Sequence, residues 1–192
     1  ARGARNIKVV RRIVRQGLWA SILLALLVIP ILWQIAPIFA FLGQDPGATA
    51  MAEQYMQCAV LMFFPAFGII ALRSLLSSFD ATRIILAITV AGVVFNAGVN
   101  YVLIFGHFGF PRLELRGSAI ATVLTNVLMF ALMLAYVLRN RRFKRFHVLR
   151  RFWASDWQRF REIFRIGFPI GLTVLAEVGM FTAASLLMGR LG

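Results

Sequence analysis

Acidic side chains are scarce in this sequence: seven Asp and Glu stand against 21 Lys and Arg in 192 residues. They are spread one at a time, which excludes the carboxylate clusters that hold metal ions in membrane enzymes acting on lipid phosphates. The single cysteine, Cys58, excludes an intrachain disulfide and a Cys-based metal site. The two histidines, His107 and His147, have no partners at metal-ligand spacing. No Gly-rich phosphate loop leads into a Lys-Ser/Thr pair, so ATP-driven chemistry has no support. The residues give no reason to expect an enzyme or a bound cofactor.

What fills the chain is apolar. Hydrophobic residues make up 60% and the mean hydropathy is +0.81, against roughly 45–50% apolar usage in soluble domains. The net charge of +14 could suggest nucleic acid, but the basic residues gather in a few blocks between long uncharged runs. That distribution belongs to the loops of a membrane protein, and no nucleic-acid partner is expected. The chain opens on Ala1 and stops at Leu191-Gly192 directly after an apolar run. The expectation is a piece of a longer protein.

Five apolar runs can each cross a bilayer, which demands about 20 residues. They cover about 17–39, 53–79, 84–105, 117–138 and 163–189. Pro30 and Pro37 interrupt the first run and Pro65 the second. Membrane helices tolerate such breaks where neighbours satisfy the freed carbonyls. Arg73, near the end of the second run, is expected to reach toward the interface. The fold class is therefore an all-α polytopic membrane protein.

The basic blocks also set an orientation. The opening (Ala1 to Gln16), the link 77–83 and the segment 139–165 alternate with the poorly charged turns 40–52 and 106–116. By the positive-inside rule the first set is cytoplasmic. In the segment 139–165, Phe143, Phe146, Leu149, Trp153, Trp157, Phe160 and Phe164 recur at steps of three and four, with arginines between them. Such an amphipathic, Trp-bearing helix is expected to lie on anionic membrane lipid. A regulatory target helix would show the same pattern.

Polar groups inside the apolar runs are the candidates for function. Asn96 and Asn100, four residues apart, share one helix face. They serve either as interhelical hydrogen bonds or as the lining of a wet cavity. Thr122, Thr125 and Asn126 in the fourth run suit the same two roles. Glu177 is the only acid inside any of these runs. Its insertion costs on the order of 3 kcal/mol even on lenient scales, so function is the default reading.

The stretch from Asn96 to Thr122 also carries a family resemblance. It reads Asn96-Ala-Gly-Val-Asn100-Tyr-Val-Leu-Ile-Phe-Gly106, then His107-Phe-Gly-Phe-Pro111, then Gly117-Ser-Ala-Ile-Ala-Thr122. This resembles the end of the fifth and the start of the sixth helix in the multidrug and toxic compound extrusion (MATE) transporters. Their pattern is Asn…Asn-Tyr-x-Leu-Ile-Phe-Gly-x-x-Gly-x-Pro, then Gly-Ala-Ala-x-Ala-Thr. Glu114 stands where members usually have Gly, and Arg116 precedes Gly117. The link 77–83 has neither the Gly nor the Pro that members often place there. Gly167-Phe-Pro-Ile-Gly171 and Glu177 resemble the opening and the acid of the family's seventh helix.

The resemblance implies part of a twelve-helix transporter built from two six-helix bundles around a cavity, equivalent to helices three to seven. Residues 1–138 then belong to the N-terminal bundle, 139–162 to an amphipathic cytoplasmic linker, and 163–192 to the first helix of the C-terminal bundle. The activity implied is secondary antiport, with cationic amphipathic compounds leaving in exchange for H+ or Na+. Glu177 would couple the ion, as a proton carrier or an oxygen ligand for Na+, and Asn96, Asn100, Thr122 and Asn126 would line the cavity. The complete protein is expected to be a monomer in the inner (plasma) membrane. A related flippase for lipid-linked oligosaccharides would display basic residues inside the cavity to meet a pyrophosphate, and these spans do not supply them there. A non-transporting membrane scaffold would leave Glu177 an uncompensated cost.

Overall fold

The computed structural model describes residues 2–41, 43, 45–106, 109, 111–144 and 157–191. They form α1 (Arg2–Trp33), α2 (Ile35–Phe41), α3 (Pro46–Ala59), a 3-10 turn (Val60–Met62), α4 (Phe63–Ser77), α5 (Thr82–Phe105), α6 (Glu114–Arg139), α7 (Arg141–Lys144) and α8 (Trp157–Leu191). There is no strand among the described residues. Five stretches are long and apolar enough to cross a membrane: Val14–Trp33, Pro46–Ser77, Thr82–Phe105, Glu114–Arg139 and Phe160–Ser185.

Prolines decide where the first two spans break. Pro37 has no N–H to give the carbonyl of Trp33, and α1 stops at Trp33, with Gln34 as a turn before α2. The first span is therefore shorter than the run 17–39 predicts. Pro65 likewise cannot donate to the carbonyl of Leu61, and the helix tightens to 3-10 geometry over Val60–Met62 just before it.

The second span begins earlier than the hydropathy predicts, at Pro46 rather than Glu53. Asp45 caps α3 by accepting from the backbone N–H of Ala48 at 3.0 Å, with Pro46 in the first turn. Glu53 thus lies seven residues, about 10 Å, inside this span. Glu177 is not the only acid within a spanning helix. Gln57 Nε2 donates to Glu53 Oε1 at 3.4 Å.

Each of the two links places a residue other than glycine in the left-handed region. After α4, the Ala81 N–H reaches the Leu76 carbonyl at 3.0 Å and the Asp80 N–H reaches the Ser77 carbonyl at 3.1 Å. This is a Schellman closure, with Asp80 at φ 56° in the position glycine usually takes. Between α5 and α6, Gly106 caps α5 at φ 73° and Glu114 opens α6 at φ 46°. The Leu113 N–H donates to the Leu103 carbonyl at 3.0 Å and pins the turn to α5.

Residues 1–152 form one unit, and residues 153–192, which contain α8, form a second. The division falls within the stretch 139–162 expected to link the bundles. In the first unit α5 packs on α6, α1 on α4, and α6 also meets α3 and α4. The core joins Val14 and Leu18 of α1, Leu72, Leu75 and Leu76 of α4, Ile85 and Ile88 of α5, Met133 and Val137 of α6, and Phe143 of α7.

Phe143 corrects one expectation. Its periodicity placed it on a lipid-facing stripe, yet it is 1% exposed and belongs to the bundle core. The backbone turns extended at Asn140, and α7 brings the ring back under the helices. There it meets Phe79 edge-on at 5.6 Å and Tyr136 at 5.9 Å. Of the remaining stripe, Phe146, Leu149 and Trp153 lie outside the described residues.

Two outcomes follow for the complete protein, measured by thermal unfolding in detergent. Asp80→Gly relieves the crowding of a Cβ at positive φ and is expected to stabilise by about 1 kcal/mol. Phe143→Ala is expected to destabilise by about 3–5 kcal/mol, as for a buried ring. An unchanged transition in the Phe143 variant would show that the ring lies outside the core.

Candidate functional site

The polar residues of α5 and α6 meet because small residues let the two helices approach. A Cβ added to Gly117 would lie 2.8 Å from the Leu103 carbonyl oxygen, so no other residue fits there without moving the backbone. Gly117, Ala121 and Thr125 recur at steps of four, all buried, and form the face of α6 at that contact. Further along the pair, Gly92 of α5 leaves room for the Met129 side chain.

On this seam a chain of hydrogen bonds crosses from α5 to α6. Asn100 Nδ2 donates to Asn96 Oδ1 at 2.9 Å, and Asn96 Nδ2 donates to Thr125 Oγ1 at 3.0 Å. Thr125 Oγ1 donates in turn to the Ala121 carbonyl at 2.8 Å. The series starts at an amide whose own oxygen, Asn100 Oδ1, is buried without a partner. That oxygen can accept from a donor on another helix or act as an oxygen ligand to a cation.

Of the three polar residues of α6, Thr125 is thus the cross-helix partner, while Thr122 and Asn126 are the two expected to line the cavity. Those two are satisfied along their own helix: Thr122 Oγ1 donates to the Ser118 carbonyl at 3.0 Å, and Asn126 Nδ2 to the Thr122 carbonyl at 2.9 Å. The step of four from Gly117 through Ala121 was the signal that singled out Thr125.

α8 places Glu177 two turns beyond Pro169, with Thr173 between them on the same face. Thr173 Oγ1 donates to the Pro169 carbonyl at 3.0 Å. Glu177 itself is exposed. No group of three His, Cys, Asp or Glu that could hold a metal ion occurs among the described residues. His107 and His147 lie outside them.

Replacing Thr125 by Val removes the acceptor for Asn96 while keeping the shape of the side chain. The expected cost to the stability of the complete protein is about 0.6–2 kcal/mol, the range for hydrogen bonds between membrane helices. Thr122→Val, which breaks only a bond within α6, should cost less. Equal effects in thermal unfolding would mean that the Asn96–Thr125 bond contributes nothing between the helices.

Comparison with known proteins agrees with these features. The family model described as MatE matches residues 1–102. A probable multidrug resistance protein NorM from Rhizobium meliloti (strain 1021) is 44% identical over 183 residues, covering 95% of this chain and 39% of that protein. Its namesake in Agrobacterium fabrum (strain C58) is 39% identical over 182 residues, with 95% and 39% covered. One from Listeria monocytogenes is 34% identical over 191 residues, with 99% and 42% covered. The chain spans about two fifths of the length of these curated relatives. With more than half of its length matched by the family model, and with five helices able to cross a membrane, this chain is a multi-pass membrane segment that belongs to the MATE family.

Proposed function

We propose that the complete protein containing this chain is a secondary active antiporter that exports cationic amphipathic compounds in exchange for H+ or Na+. The observation that carries the reading is Glu177, a carboxyl group placed within a helix apolar enough to span the bilayer. Such a group is expensive to insert and has a use in moving ions. It can exchange a proton or ligate Na+ through its oxygens. The relatives named as multidrug resistance proteins give the substrate class its support.

Asn96, Asn100 and Thr125 supply neutral polarity on the wall formed by α5 and α6. An unpartnered amide oxygen suits a cationic species better than an anionic one, because it can only accept or coordinate. Within α5 and α6, the described basic residues are Arg83, Arg116 and Arg139, each close to a helix end. The cavity would therefore not repel a cationic drug at mid-depth. We place the protein in the inner membrane as a monomer, with the opening segment and the stretch around residue 150 on the cytoplasmic side. The basic stretch 139–165 would rest on anionic lipid beyond the point where Phe143 is anchored.

Glu177→Gln keeps the size of the side chain and removes its titratable charge. In vesicles holding the complete protein, this change is expected to abolish ion-driven export and leave membrane insertion intact. Separate pH and sodium gradients imposed on the unsubstituted protein then identify the ion. Transport by the Gln variant at the original rate under both gradients would refute the coupling role.

Orientation is checked independently by labelling. With Cys58 replaced by Ser, a cysteine at Arg112 should react with an impermeant thiol reagent in intact cells, and one at Arg150 should react only after lysis. The reverse pattern would invert the topology.

A further inference from the structure

The C-terminal end of α4 carries a polar groove that the transport reading does not use. It has a volume of about 470 Å³ and is lined by Ile70, Arg73, Ser74, Ser77 and Ser78. The steps of four from Arg73 to Ser77 and from Ser74 to Ser78 put these side chains on one face. All five are exposed. Along the helix the face grades from apolar Ile70, through a cation, to hydroxyls, over about 12 Å. That length exceeds one leaflet's interfacial zone, about 5–8 Å of the bilayer's polar region, so the face runs from acyl chain to headgroup.

Arg73 has no hydrogen bond or ion pair with any described residue, although it lies inside a spanning helix. A guanidinium at that depth needs an anionic or polar partner. Asp80, the acid in the adjoining link, forms no ion pair with it. The negative end of the α4 dipole is already occupied by donors. The Ser78 N–H and Oγ reach the Ser74 carbonyl at 3.1 and 2.7 Å, and the Asp80 N–H takes that of Ser77. An anion placed here therefore meets few bare carbonyls.

We propose that this groove binds the phosphate of an anionic phospholipid headgroup. The planar fork of Arg73 grips the phosphate oxygens through charge-assisted hydrogen bonds. The Ser77 hydroxyl, which makes no hydrogen bond in the structure, supplies a second donor one turn away. Ser74 and Ser78 spend their protons on the carbonyls of Ile70 and Ser74. Their oxygens are left to accept from hydroxyls of the headgroup. Ile70 meets the first carbons of the acyl chains. The lipid rather than free phosphate is favoured because the site opens beside an apolar span at the level of the interface. The inference requires only a membrane location and stands apart from the antiport reading.

The test is native mass spectrometry of the complete transporter in mild detergent, titrated with phosphatidylglycerol. Four variants are compared with the unsubstituted protein: Arg73→Gln, Arg73→Lys, Ser77→Ala and, as a control, Arg112→Gln in the opposite turn. The Gln variant is expected to weaken one binding step about tenfold, the equivalent of roughly 1.4 kcal/mol. Arg73→Lys and Ser77→Ala should each weaken it less, and Arg112→Gln should leave it unchanged. Ser77→Ala removes a single exposed hydroxyl, so it carries the test should Arg73→Gln fail to fold. The proposal is overturned if the tested Arg73 and Ser77 variants bind phosphatidylglycerol as the unsubstituted protein does. It is equally overturned if millimolar inorganic phosphate displaces the lipid from that step, since the site would then belong to a free anion.

Discussion

The close approach of α5 and α6 at Gly117 is the constraint on which the first unit depends. With a Cβ there, the distance to the Leu103 carbonyl oxygen would be 2.8 Å, and the seam would have to open. The same carbonyl accepts the Leu113 N–H, so one oxygen fixes both the packing of the helices and the return of the chain. Because the helices are held close at this end, Asn96 and Thr125 further along the pair come within 3.0 Å. In a bilayer, apolar side chains gain little by meeting each other instead of lipid. Packing at glycine and polar bonds therefore take a larger share in holding the pair together.

A second theme is the containment of polarity. Hydroxyls along the spans return their protons to carbonyls four residues back: Thr89, Thr122, Thr173, Thr182 and Ser185 all do so. Ser21 reaches further, donating to the Phe67 carbonyl of α4 at 2.9 Å and tying α1 to the span that Pro65 interrupts. Against this background of satisfied hydroxyls, Asn100 Oδ1 stands out as a buried oxygen with capacity to spare.

The turns show how a local pattern can be right in outline and silent on its means. The link 77–83 closes without the glycine that family members use, because Asp80 tolerates a left-handed backbone and three amides satisfy the carbonyls of Leu76 and Ser77. Glu114 takes the same region at the start of α6, beside Arg112 at 3.6 Å. No propensity of glutamate foretells that backbone. It is imposed by the need to bring Leu113 onto α5 within a short turn.

The number of spans, the all-helical class, the intramembrane position of Glu177 and the shared face of the two asparagines were legible in the sequence, because hydropathy and the helical period fix them locally. The family was legible from the order of polar, aromatic and glycine residues between Asn96 and Thr122. Which member of the Thr122, Thr125 and Asn126 group crosses to α5 was decided by the tertiary structure, since it depends on which face the Gly117 contact turns inward. The burial of Phe143 was decided the same way. A helical stripe of aromatic residues looks identical whether lipid or protein covers it, and only the turn at Asn140 brought that ring under the bundle.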